Sequence, residues 1–190
     1  HESFLSYGHE IKVEKVARTL EEVEWCQAHP VNVAGEWRFV RDPSKVLSCS
    51  TTGVKYFVNS NREGLLRTIG TGELALSSGV PILQEFALAL VRNAGGAKMQ
   101  RLNESDGLWH QLRAQGDSVE QVLRDAKAEL VTLDTRASFE SAFGISVEAQ
   151  LSVEEQLATW TFVSNGTTAP TAILDQVTGF AEELLLQCRY

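Results

Sequence analysis

The chain has little sulfur, little proline and no long apolar stretch. Of its 190 residues only Met99 is methionine, and the first is His1. A translated chain starts with methionine, so the expectation is a product of processing or a piece of something longer. Three cysteines, Cys26, Cys49 and Cys188, are widely spaced and odd in number. That points to reduced thiols in a cytosolic setting rather than a disulfide framework. No apolar run reaches the roughly 18 residues that a membrane helix needs. The best, residues 80–91, is broken by Gln84 and Glu85, and no signal peptide is visible. The four histidines form no zinc-ligand spacing, and Cys26-Gln27-Ala28-His29 is half of a site without a second half. No glycine-rich phosphate loop precedes a helix, since Gly70-Thr71-Gly72 is too short a signal.

What is present is enough for a core. The hydrophobic share is 43%, too high for disorder, and the length suits one domain or one domain with part of a neighbour. The net charge of −8 argues against indiscriminate nucleic-acid binding. Its distribution is uneven. Between residues 38 and 67 the basic residues are Arg38, Arg41, Lys45, Lys55, Arg62 and Arg67, against Asp42 and Glu63. That segment carries +4 and the remainder −12. A basic stripe on an acidic body suits a protein that grips a phosphate backbone in one groove, and it also suits an ordinary solvated face.

The pattern along the chain predicts an α+β protein: a small antiparallel sheet, then helices. Residues 1–8 read as the last turns of a helix closed by Gly8. Residues 11–16 alternate as a short strand. Leu20, Val23 and Trp25 supply a second strand, with Pro30 at its end or on an edge. Residues 32–35 read as a turn and 36–40 as the returning strand. Arg41-Asp42-Pro43 leaves the sheet, and 48–53 is a polar loop. Helices are expected over 61–69, over 80–93 (apolar nearly all round and buried) and over 108–114, with a polar loop at 98–107. Ser118-Val119-Glu120-Gln121 has the form of a capping box and opens a helix to about residue 130. Asp134 or Thr135 caps the next, closed by Gly144. Ser146 opens another to Trp160, with Leu151, Leu157 and Trp160 near one face, and Pro170 starts the last, bearing Ile173, Leu174, Val177, Phe180 and Leu184.

Several of these pieces, in their order, resemble the end of the RNA-directed RNA polymerases of positive-strand RNA viruses, in the tombusvirus-like and nodavirus-like groups. Tyr7-Gly8-His9-Glu10-Ile11-Lys12-Val13-Glu14 looks like that family's motif D. Trp25-Cys26-Gln27-Ala28-His29-Pro30-Val31 and Glu36-Trp37-Arg38-Phe39-Val40 look like the two strands of motif E, the primer-grip hairpin, and Arg41-Asp42-Pro43 like the start of the thumb. Arg136-Ala137-Ser138-Phe139-Glu140-Ser141-Ala142-Phe143-Gly144-Ile145 and Gln150 resemble a thumb segment. The finger and upstream palm motifs are missing. The nearest approach to the family's paired aspartates is Gly116-Asp117-Ser118, with one aspartate and polar flanks, which reads as a helix cap.

The resemblance implies a palm edge over residues 1–47 and a helical thumb over 48–190. It implies a polymerase that adds nucleoside triphosphates to RNA with Mg²⁺ or Mn²⁺, although this chain holds no metal or other cofactor and is expected to be inactive alone. Its partners would be the template–product duplex, nucleoside triphosphates and the upstream palm and fingers. Its location would be the host cytoplasm, in membrane-associated replication complexes reached through parts outside this chain. Cys26, Gln27, Arg38, Arg41, Lys45, Lys55, Arg62 and Arg67 would contact RNA, and Lys12 or Lys15 would serve as general acid toward pyrophosphate. Each residue also has a plainer role. Trp25 and Trp37 fit hairpin core, Cys26 a small buried hydrophobe, Lys12 and Lys15 exposed strand charges, and Arg41 a partner for Asp42 or another carboxylate. Arg136 fits a donor to helix carbonyls, and Phe139 with Phe143 an i,i+4 core pair. The rival reading is a non-enzymatic helical viral RNA-binding or assembly module.

Overall fold

A computed structural model describes residues 2–13, 15–51, 62–104, 106–116, 118–162 and 170–178. Among them the sheet is a single hairpin. Strand β1 (Ala28–Val33) pairs antiparallel with β2 (Glu36–Arg41), placing Val33 opposite Glu36 and Ala28 opposite Arg41. Ala34 and Gly35 form the connection with φ of 52° and 96°. Two left-handed residues match the twist of the strands they join. The Gly35 N–H donates to Asn32 Oδ1 at 2.8 Å. Pro30 lies within β1, on its open edge. Two residues on, the same edge turns the Asn32 N–H toward Ser138 Oγ at 2.9 Å instead of toward β2, so the missing proline N–H interrupts no ladder.

Upstream of the hairpin the structure departs from the expected strands. Helix α1 (Glu2–Leu5) ends before Gly8, which takes φ 78°. The described residues of 11–16 form no strand, and Val13 and Val16 are exposed. Their alternation is strand-like, but among the described residues no strand pairs with them, and Ile11 alone of their apolar side chains is half-buried. The second expected strand also fails over 20–25, where only Trp25 pairs, through an isolated bridge to Ala28. Cys26 and Gln27 adopt φ of 50° and 63° and fold Trp25 straight back onto β1.

Asp42 does not merely leave the sheet. It caps α2 (Pro43–Cys49), accepting the Lys45 N–H at 3.0 Å, with Pro43 in the first turn where its missing N–H is harmless. Ser48 and Cys49, expected in a loop, therefore belong to this helix. Helix α3 (Arg62–Ser77) runs eight residues past the expected end and takes Gly70-Thr71-Gly72 into its interior. The glycines let other helices come close. A Cβ on Gly70 would lie 2.8 Å from Leu90 Cβ and 2.9 Å from the Val91 nitrogen, and one on Gly72 would lie 3.0 Å from Leu108 Cδ2.

Helix α4 (Leu83–Asn93) makes the most extensive helix contact, with α3, and is buried as expected. It begins after a γ-turn at Ile82, where φ is 63° and ψ −54° and the Leu83 N–H reaches Pro81 O. This backbone is strained for a β-branched residue. Helices α5 (Gly107–Arg113) and α6 (Val119–Asp125) follow, the latter capped by Ser118, which accepts the Gln121 N–H. Helix α6 stops five residues short of expectation. Beyond it Gln84 holds Glu129 through both its N–H and its carbonyl, and the Ser78 hydroxyl donates to Lys127 O.

Helix α7 (Leu133–Phe143) is capped by Thr132, not Asp134 or Thr135, and closes at left-handed Gly144. Helix α8 (Val147–Thr159) has the expected Ser146 cap, and α9 (Pro170–Thr178) the expected proline start, with Phe180 and Leu184 outside the described residues. On α8 Val153 and Leu157 are buried while Leu151 is exposed. One core joins Val31, Val33, Val40 and Leu47 to Phe86, Leu90, Phe139, Leu157 and Leu174. Phe139 and Phe143 pack at 4.7 Å as the expected pair, and His29 meets Phe143 edge-on at 5.2 Å.

Candidate nucleic-acid interface

The hairpin alternates, so its residues fall on two faces. Val31, Val33 and Val40 turn inward and are nearly inaccessible. Trp37 and Phe39 turn outward, 47% and 60% exposed, and Trp25, bridged to Ala28, is 69% exposed. Trp25 and Trp37 are thus not hairpin core. Cys26 is exposed and free, not a buried hydrophobe, because the left-handed turn carries it outward. Gln27 is exposed beside it. The turn is held at both ends. Trp25 and Ala28 exchange N–H···O bonds of 2.9 and 3.0 Å, and the Asp42 N–H donates to Gln27 O at 3.0 Å.

A second set of bonds fixes the hairpin against α7. Ser138 Oγ, which accepts the Asn32 N–H, donates to Glu21 Oε1 at 3.1 Å, and His29 Nδ1 donates to Glu21 O at 2.9 Å. The Ala34 N–H donates to Thr135 Oγ1 at 3.1 Å. The turn therefore stands on a braced support.

The basic residues are distributed rather than aligned. Arg41 donates to Glu73, a carboxylate almost wholly buried on α3. Ser50 Oγ donates to the other oxygen of Glu73 at 2.9 Å, so this one side chain ties together the ends of β2, α2 and the middle of α3. The Arg41 side chain stays 30% exposed, and a guanidinium has five N–H donors, so it holds Glu73 with donors to spare. Arg38 donates to Ser78 O at 2.9 Å while its buried Nε has no partner. Arg67 donates to Gly95 O at 2.6 Å. Arg62 begins α3 and is exposed, Lys45 is half-buried on α2 and makes no ion pair among the described residues, and Lys55 lies outside the described residues. Lys12 and Lys15 are exposed on the segment ahead of the hairpin.

Among the described residues no three histidine, cysteine, aspartate or glutamate side chains converge where a metal could sit. The described residues do not supply the donor set of a two-metal centre, which needs clustered carboxylates.

Two partners escape a reading of the sequence alone. Glu73 stands in the apolar run Gly72-Glu73-Leu74-Ala75-Leu76, and a lone acid there is the signal that could have found it. Arg136 does not bind helix carbonyls. It forks onto both oxygens of Glu154, at 3.0 and 2.8 Å, and Glu154 Oε1 also accepts the N–H of strained Ile82 at 2.9 Å. Gln150 locks the pair by donating to Arg136 O and Ile145 O.

The sequence aligns with known polymerases over most of its length. It is 34% identical over 164 residues to the RNA-directed RNA polymerase of Tomato bushy stunt virus (strain Cherry), covering 84% of this chain and 18% of that protein. It is 33% identical over 164 residues to the enzyme of Cucumber necrosis virus and 33% over 162 residues to that of Cymbidium ringspot virus, with 84% and 83% of this chain and 18% of each relative covered. The chain thus spans less than a fifth of the length of these curated relatives. No solved structure matches it. The family model described as viral RNA dependent RNA polymerase matches residues 1–165. The tombusvirus-like resemblance holds. Since that match takes in the hairpin, its brace on α7 and the whole of α8, the chain belongs to the viral RNA-dependent RNA polymerase family.

Proposed function

We propose that residues 1–47 form the edge of the palm and 48–190 the thumb of a viral RNA-replicating polymerase, and that the hairpin grips the primer or product end of the RNA. The observation that carries this reading is the turn at Cys26 and Gln27. Two side chains stand in solvent on a left-handed backbone, over a hairpin whose opposite face is sealed into the core. Non-glycine residues in that conformation are uncommon and concentrate where a site requires them. The Gln27 amide can donate and accept at a ribose or phosphate, and Arg41 and Lys45 supply positive charge near the same end of the hairpin. Arg62, Arg67 and Lys55 extend the basic segment. The contacts would be to phosphates and sugars and so independent of base sequence.

The complete enzyme would join nucleoside triphosphates with two divalent metals held by parts outside the described residues. Lys12 or Lys15 would deliver a proton to the departing pyrophosphate. The exposed aromatic side chains Trp25, Trp37 and Phe39 would meet the upstream palm, since large apolar side chains left in solvent mark an interface. The assembly would work in the host cytoplasm, on membranes reached by other parts of the protein. No described helix is long and apolar enough to cross a membrane.

The test uses a complete polymerase. Gln27→Ala is expected to lower elongation with an unchanged melting temperature, whereas Arg38→Ala, which removes the bond to Ser78 O, lowers both. Normal elongation by the Gln27 variant would overturn the primer-grip reading. Of Lys12→Leu and Lys15→Leu, one is expected to lose about 10²-fold in single-turnover incorporation. The 190-residue chain by itself is expected to synthesise no RNA.

A further inference from the structure

A cavity of about 590 Å³ opens among the chain preceding α5, α5 itself and the first turns of α6. Its size is that of a small-molecule site. It shares no lining residue with the hairpin. The walls combine two chemistries. Trp109 contributes a half-buried indole, with Leu102 and Leu123 beside it. Arg101, Arg113 and Arg124 contribute guanidinium groups. Against them stand Glu104 and Glu120, so the lining carries +1 in a chain of −8.

The arginines are not spent on one another's neighbours. Arg113 gives one N–H to Gly116 O at 2.6 Å. Arg101 and Arg124 form no ion pair among the described residues. Both nevertheless act on the same carboxylate. Glu120 titrates below the usual carboxylate range, chiefly through a backbone N–H and the Ser118 hydroxyl, with Arg101 and Arg124 adding to the effect. Two guanidinium groups, one from the chain before α5 and one from α6, therefore line the same cavity as Glu120 without being bound to it in an ion pair. The walls are tied down. Gln100 O accepts from Thr68 Oγ1 at 2.9 Å, its N–H donates to Gly64 O, and Leu108 packs on Gly72.

We propose that this cavity binds a phosphorylated nucleoside, its base against Trp109 and its phosphates on Arg101 and Arg124. An aromatic wall recognises any base by stacking, worth about 1–3 kcal/mol per base, and paired guanidinium groups hold phosphate oxygens in a fixed fork. The same chemistry is offered by a free nucleotide and by one unit of an RNA strand. Glu120 competes for the arginines, so its neutralisation strengthens the site.

The 190-residue chain is titrated calorimetrically with ATP, adenosine, tripolyphosphate and a five-nucleotide oligouridylate. ATP is expected to bind, with adenosine and tripolyphosphate each at least tenfold weaker. Trp109→Ala and the double variant Arg101→Ala/Arg124→Ala are each expected to weaken ATP roughly tenfold, and Glu120→Gln to tighten it. Trp109→Phe, which keeps a stacking face, should retain most of the affinity, and unchanged circular dichroism confirms folding for every variant. Tighter binding of the oligouridylate than of ATP, lost in Trp109→Ala, assigns the site to an RNA strand. The reverse order assigns it to a free nucleotide. Absence of ATP binding, tripolyphosphate binding as tightly as ATP, or ATP affinity indifferent to both the Trp109 and the arginine variants overturns the proposal. None of these outcomes depends on the hairpin or on RNA synthesis, so the primer-grip reading stands or falls separately.

Discussion

The two faces of the hairpin are both apolar, and they are buried unequally. Val31, Val33 and Val40 disappear into the core, whereas Trp25, Trp37 and Phe39 remain in water. Strand alternation separates these sets without ranking them. The larger side chains would gain more from burial, yet the small valines are inside, because the helical core packs against their side, while on the other face the buried positions are Ala28 and Pro30 of β1. The exposed aromatics are the basis on which this face is proposed above as an interface.

Substitutions on the two sides should show this asymmetry most strongly. Phe139→Ala, emptying a site beneath the inner face, is expected to destabilise the chain by about 3–5 kcal/mol in chemical denaturation. Phe39→Ala on the outer face, where the residue stands opposite Pro30 and is 60% exposed, should cost no more than about 1 kcal/mol. Equal losses would mean that the outer face is also part of the core.

A smaller contrast separates glycines that touch from glycines that do not. Gly70→Ala would push a Cβ into Leu90 and the Val91 backbone, costing about 1–3 kcal/mol. Gly96→Ala meets nothing within 4 Å and should stay within about 0.5 kcal/mol. Parity between them would show that α3 and α4 are further apart than described.

The smallest effect lies at the margin of the core. Burial raises the Glu85 carboxyl above its ordinary range, and the opposing attraction of Arg92 only partly offsets this. A carboxyl raised on folding favours the native state at low pH, and that contribution is lost as pH rises through its folded value. Glu85→Gln, neutral throughout, should therefore be more stable than the parent at neutral pH, with the gap narrowing below the ordinary carboxylate range. A gap that widens in acid would contradict the sign.

Much of the local structure was legible because it depends on neighbours in sequence. The turn at Ala34-Gly35, the Ser118 and Ser146 caps, the Gly144 stop and the buried run of α4 all rest on backbone preferences or periodicity within a few residues. The misreadings have the opposite character. Residues 11–16 alternate like a strand, and among the described residues none pairs with them. Gly70 and Gly72 look like a break in α3 and serve instead as contact points for α4 and α5. Cys26 reads as an interior residue until the turn that exposes it is known.

The site divides in the same way. The amino-acid sequence determined that a hairpin would exist, where it would turn, that residues 38–67 would carry an excess of positive charge, and which polymerase family it resembles. Tertiary structure decided which hairpin face would remain open, that Arg41 would share itself with Glu73, and that Arg136 and Glu154 would hold the strained backbone at Ile82. Those outcomes join residues 18 to 72 positions apart. A pattern confined to neighbours cannot specify which distant group will satisfy a buried charge or cover an apolar face, because that free energy exists only once the partner has been brought to it.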